Sequence, residues 1–243
     1  MADPEREPPD PSVTEPQSRR AAVVFVGGLL AVLAVVGIVA LLAGGDDEVT
    51  EAPATTLVCE PVPADGASED CPQEAITEPA AVDVVTSEGE FTISLDTEGS
   101  PATTTSFRTL VESGFYDGLE FHRVAPGFVI QGGDPNGDGS GGPGYYVDED
   151  VPAGTEYTPG VVAMAKTSTD PAGRSGSQFF VVSGPGGAQL TPDYAVVGEV
   201  TAGMEAVDAI DALGPKASDP GVSPDGRPTR PVTIESMSVT EPS

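Results

Sequence analysis

His122 is the only imidazole in the 243-residue chain, and Cys59 and Cys71 are its only thiols. That inventory limits the chemistry. A hydrolytic triad would have to be built around His122, yet Gly173-Arg174-Ser175-Gly176-Ser177 lacks the last glycine of a Gly-x-Ser-x-Gly elbow. One His and two Cys are too few for a closed structural zinc site, which takes four N or S ligands. Asp134-Pro135-Asn136-Gly137-Asp138-Gly139 matches the first half of a calcium loop, but Tyr145 stands where the bidentate Glu belongs. It reads as a Gly-rich surface loop with local Asx-turns. No phosphate-cradling loop or dinucleotide fingerprint is present. What remains is Phe121-His122-Arg123-Val124-Ala125-Pro126-Gly127-Phe128-Val129-Ile130-Gln131-Gly132-Gly133-Asp134. With Phe121 directed inward and Arg123 outward, the guanidinium would top a surface that Phe128 and Gln131 reach from the next segment. A solvated surface charge is the plainer reading, and spacing alone leaves the two open. His122 reads as a satisfied structural histidine in preference to a general base.

The elements that would position these groups begin near Ala80. Val82–Thr86 and Phe91–Leu95 flank Ser87-Glu88-Gly89-Glu90 and read as a hairpin. Pro101 opens a helix in which Phe107, Leu110 and Val111 share a face, and Gly114 stops it. Short apolar runs follow at Leu119–Val124, Phe128–Gln131, Val161–Ala165, Gln178–Val182 and Tyr194–Val200. Met204, Val207, Ile210 and Leu213 mark a second helix, and Val232–Val239 alternates as a last strand. About eight strands and two helices predict a mainly β fold: a closed eight-stranded antiparallel barrel capped by two helices, with first and last strands paired.

The remainder of the chain is of another kind. Residues 1–20 carry five prolines among polar and acidic residues and read as a disordered cytoplasmic tail. Residues 21–43 contain no charged side chain, and a helix of that length reaches about 34 Å, enough for a ~30 Å hydrocarbon core. A cleaved signal peptide is the alternative, but its apolar region is usually shorter. Arg19-Arg20 precede this run and Asp46-Asp47-Glu48 follow it, so the expectation is a single-pass cell-membrane protein with the N-terminus cytoplasmic and residues 80–243 extracytoplasmic. Residues 44–79 read as an acidic, Pro-rich stalk, in which Cys59 and Cys71 would pair in an oxidising compartment. Ten Lys and Arg against 39 Asp and Glu leave a net charge of −29, which argues against nucleic-acid partners.

The Phe121–Asp134 block resembles the signature of the cyclophilin family of peptidyl-prolyl cis–trans isomerases. Gly160–Ala165 with Gly176–Val182 is similar to that family's second block, and Leu190 with Tyr194–Val200 to its third. The resemblance runs from about Ala80 to Glu241 and implies the two-helix barrel, with a groove on its outer surface. It implies that Arg123 is the catalytic arginine and that Gln131 bonds the substrate backbone and steadies it. Phe128, Val129, Phe180 and Leu190 would line the proline pocket; Ala165 and Lys166 form the groove edge, Gln178 lines the adjoining side, and Tyr194 occupies a position that is often His. The family commonly has Met at Val129, Asn at Lys166 and Trp at Gln189; the last departure bears on cyclosporin binding more than on catalysis.

The chemistry so implied is rotation about an X–Pro amide, against a barrier of about 18–20 kcal/mol. A thousandfold acceleration needs about 4 kcal/mol, and neither a cofactor nor a metal. In the twisted state the proline nitrogen regains a lone pair, so a donor aimed at it stabilises the transition state over the planar ground state. The expected protein is a monomer acting on proline-containing polypeptides during folding of exported proteins. The alternative is a non-catalytic proline-peptide-binding chaperone or scaffold module.

Overall fold

The computed structural model describes residues 56–61, 71–216 and 223–241. The tail at 1–20 and the apolar run at 21–43 lie outside them; among the described residues no helix is long and apolar enough to cross a membrane.

The predicted hairpin forms as β2 (Ala81–Thr86) and β3 (Gly89–Leu95). The alternating residues Val82, Val84, Phe91 and Ile93 all point into one core. Helix α1 (Pro101–Glu112) begins at the proline, whose missing N–H costs nothing in a first turn. Its free amides at Ala102 and Thr103 both donate to one oxygen of Glu149, 2.8 and 3.1 Å away, a cap delivered from 46 or 47 residues further on. Burial pushes the Glu149 carboxyl above its ordinary range, and these two amides pull it back in part. Helix α2 (Met204–Asp211) buries Val207 and Ile210.

The strands β4 (Arg123–Ala125), β5 (Val129–Gly132), β7 (Val161–Met164), β9 (Phe179–Val182), β10 (Val196–Ala202) and β11 (Ile234–Thr240) complete an antiparallel sheet of eight. Its order is β11-β2-β3-β10-β7-β9-β5-β4, so first and last strands of the hairpin-to-terminus run pair as expected. The barrel is not closed, contrary to the sequence expectation. Its outer strands β11 and β4 share no ladder; isolated bridges at Glu120–Thr233 and Val124–Gly226 span the gap. The outer edge of β4 is taken instead by the loop at Gly226, which exchanges both backbone hydrogen bonds with Val124 and so stands where β11 would have to pair.

A second, three-stranded sheet escaped the pattern reading. It consists of β1 (Cys59–Pro61), β6 (Tyr145–Asp148) and β8 (Arg174–Ser175), in the order β1-β6-β8. In the described part of residues 44–79, Leu57 is buried against Tyr145 and Val147 and β1 pairs with β6. Cys59 and Cys71 are joined as a disulfide. Arg174 ties the strands together, 2.7 Å from Glu60 and 2.8 Å from Asp148, with its guanidinium over the ring of Tyr146.

Candidate active site

Strand β4 begins only at Arg123, and this break decides which way each side chain points. Phe121 lies in the irregular segment before it and enters the core, with its ring 5.8 Å from that of Phe179. Alternation then starts afresh: Val124 turns inward, while Arg123 and Ala125 face outward. Arg123 stands opposite Gln131 on β5, Gln131 opposite Phe180 on β9, and Phe180 opposite Ala163 on β7. One row across four strands thus carries a cation, an amide, an aromatic ring and a methyl group.

The polar end of the row is oriented without ambiguity. The Gln178 amide nitrogen donates to the carbonyls of Gly139 and Gly141, at 3.0 and 2.9 Å. Its oxygen therefore accepts from Gln131 Nε2 at 3.0 Å, and Gln131 Oε1 accepts from Arg123 Nη1 at 2.8 Å. The loop that supplies those carbonyls is folded around Asp134, 1% exposed, whose carboxylate accepts from the amides of Asn136, Asp138, Gly139 and Gly141. The calcium-loop resemblance is thereby explained as a set of Asx-turns, and no metal-ligating cluster exists among the described residues. Asp225 takes the opposite edge of the Arg123 guanidinium, 2.7 Å from Nε and 2.7 Å from Nη2. That bond, more than any other influence, raises the arginine above its already high pKa.

The apolar end opens into a cavity of about 140 Å³. Phe180 forms its floor beside Val129, with Phe128 and Leu190 as walls and Arg123 and Gln131 at one rim. Tyr194 sets its ring edge-on to Phe180 at 5.4 Å, and Ala165 and Lys166 lie at the remaining rim. All the singled-out residues except Gln178 line this slot. Gln178 lines a neighbouring cavity of about 170 Å³ with Gln131, Ala165 and Lys166. The Lys166 ammonium sits 5.4 Å from the Tyr194 ring centre and donates to the Asp170 carbonyl at 3.2 Å. Gln189, exposed, does not reach the slot.

Three supports were invisible in the sequence. Tyr157, buried beneath Phe180, holds Tyr194 at both backbone groups: its hydroxyl donates to the Tyr194 carbonyl at 2.7 Å and accepts from the amide at 2.9 Å. Asp211 on α2 accepts from Gly127 N at 3.0 Å and Ser183 Oγ at 2.6 Å, fixing the turn that presents Phe128. Gly133 ends β5 with φ of 81°, where an added Cβ would lie 2.5 Å from the Ser177 carbonyl oxygen. His122 corrects another expectation. It is buried, but neither ring nitrogen finds a hydrogen-bond partner among the described residues. Burial therefore lowers its pKa, with Asp134 opposing.

This geometry has counterparts. A family model described as cyclophilin type peptidyl-prolyl cis-trans isomerase matches residues 81–239. Peptidyl-prolyl cis-trans isomerase B of Bacillus subtilis is 46% identical over 110 residues, 44% of this chain and 73% of that protein. Peptidyl-prolyl cis-trans isomerase ppi1 of Schizosaccharomyces pombe is 36% identical over 149 residues, 60% of this chain and 94% of its own length. Among solved structures, a Cryptosporidium parvum cyclophilin type peptidyl-prolyl cis-trans isomerase, crystallised in the presence of the dipeptide Ala-Pro, superposes with a TM-score of 0.58 at 28% identity. It is covered over 99% of its length and 67% of this chain.

Proposed function

We propose an activity for this site from one premise: the chain belongs to the cyclophilin-type peptidyl-prolyl cis–trans isomerase family. The slot takes the proline ring, and Arg123 donates an N–H to the proline nitrogen as the X–Pro amide twists out of plane. Because amide resonance is lost only in that state, the bond to nitrogen forms only there, and so lowers the barrier instead of merely tightening binding. Gln131 holds the guanidinium and meets the substrate backbone, while Ala165 and Lys166 receive the residue before proline. The single observation carrying this reading is the row Arg123–Gln131–Phe180 with an apolar slot beside it.

The substrates we assign are proline-containing segments of exported polypeptides. The uncharged run at 21–43, flanked by Arg19-Arg20 and Asp46-Asp47-Glu48, supports a membrane tether with the domain outside. The disulfide joining Cys59 and Cys71 fits the same oxidising side. Isomerisation of an X–Pro peptide by the full chain tests the activity. Arg123→Ala is expected to lower kcat/KM by about 10²–10³-fold with the fold retained by circular dichroism. An inactive native protein that still binds proline peptides would make the domain a holder, not an isomerase.

A further inference from the structure

Asp225 belongs to no strand and lies 102 residues from Arg123. Its place is nevertheless fixed by backbone bonds. The next residue, Gly226, accepts from Val124 N at 2.7 Å and donates to Val124 O at 3.2 Å, so the loop is pinned beside the arginine on the open edge of β4. Arg227 donates to the Gly137 carbonyl and holds the loop from its other end. The carboxylate then meets the guanidinium as a two-point fork, 2.7 Å at each contact.

The two faces of Arg123 are not equivalent. Arg123 lines both the 140 Å³ slot and a second cavity of about 450 Å³ behind it, whereas Asp225 lines only the second. The carboxylate therefore does not obstruct the slot. An arginine has five N–H donors; Asp225 takes two and Gln131 one, so 5 − 3 = 2 remain. Gripped at two edges, the guanidinium loses its remaining freedom to turn. A half-exposed pair of this kind contributes little to stability, so its consequence falls on orientation.

We propose that Asp225 is a positioning residue of the isomerisation, clamping the back edge of the Arg123 guanidinium so that its two unused N–H groups point toward the twisting proline nitrogen. The inference rests on the role assigned to Arg123 above. Full-length native protein and its Asp225→Ala, Asp225→Asn and Asp225→Glu variants are compared on one X–Pro peptide, alone and with Arg123→Ala. The Arg123 Nε–H resonance is followed in selectively labelled samples. Asp225→Ala is expected to lower kcat about tenfold, with KM changed less than twofold. Asp225→Asn, which keeps the shape, falls between, and Asp225→Glu restores most of the rate. In Arg123→Ala, removing Asp225 has no further effect. The Nε–H signal shifts and broadens in Asp225→Ala and recovers in Asp225→Glu. A native-like kcat in Asp225→Ala or Asp225→Asn overturns the proposal, as does an equal further loss in the Arg123→Ala background, which would mark loop support only. If instead the native protein is inactive, or Arg123→Ala matches it, the reading of Arg123 fails first.

Discussion

Strands β5, β9 and β7 have two faces made of similar residues and finished in different ways. On the inner face Ile130, Phe179, Val181, Val162 and Met164 meet a complete layer. Phe107 of α1 and the neighbouring Tyr116 each place a ring 5.6 Å from that of Phe179, in edge contacts, and Tyr116 donates its hydroxyl to the Ser177 carbonyl. On the outer face Val129, Phe180, Val182 and Ala163 are covered only by loop residues such as Phe128, Leu190 and Tyr194. A helix presents a continuous apolar stripe and can close a layer. The short 3-10 helix at Pro185–Gln189 cannot, and the gap left over Phe180 is the slot. A binding site here is an apolar layer left unfinished, with hydrogen-bonding groups arranged at its rim.

Adjacent phenylalanines give the most severe way to break this contrast. Phe179→Ala opens a closed cavity and is expected to cost about 3–5 kcal/mol in denaturant unfolding, with turnover per folded molecule near native at low temperature. Phe180→Ala only widens a slot already open to solvent, so about 2 kcal/mol of transfer free energy is lost. Its kcat/KM should instead fall at least tenfold. Equal stability losses with equal activity losses would mean that the two faces form one layer.

His122 separates the faces by pH. Burial lowers its pKa in the folded state below the ordinary 6.5. Between those two values the unfolded chain takes up a proton that the folded chain refuses, so this group's contribution is intact above pH 6.5 and declines as pH falls below it. Urea midpoints of native protein and His122→Gln should converge as the pH is lowered through that range. Over the same window kcat/KM of the folded enzyme should stay level, since Arg123 is held charged by Asp225.

The smallest effect concerns the slot's rim. Lys166 lies at the rim of the slot, where the proposed reading puts the residue before proline. An exposed ion pair is worth about 0.2–1 kcal/mol, so Lys166→Asn should lower the preference for Glu-Pro over Lys-Pro peptides up to about fivefold. An unchanged ratio in paired peptide assays would remove the lysine from specificity.

Period-two alternation and a proline-led helix were legible because each is written in neighbours along the chain: Val82 to Leu95, Pro101 to Val111, Phe179 against Phe180. β6 and β8 were not, since β6 offers only Tyr145-Tyr146-Val147 between a Gly-rich loop and an acidic run, β8 has two residues, and β1 lies in a segment whose composition resembles a spacer. The block from Phe121 to Asp134 pointed to Arg123 and Gln131, but only the strand break after His122 turned the arginine outward. Glu149 over α1, Tyr157 under Tyr194 and Asp225 behind Arg123 come from 46, 37 and 102 residues away. Sequence by itself determined the hairpin, the two helices and the apolar faces of the longer runs, because those depend on side-chain order alone. Tertiary structure decided the open sheet edge, the slot and the clamp on its guanidinium, because these depend on which distant backbone groups satisfy one another once the chain has closed on itself.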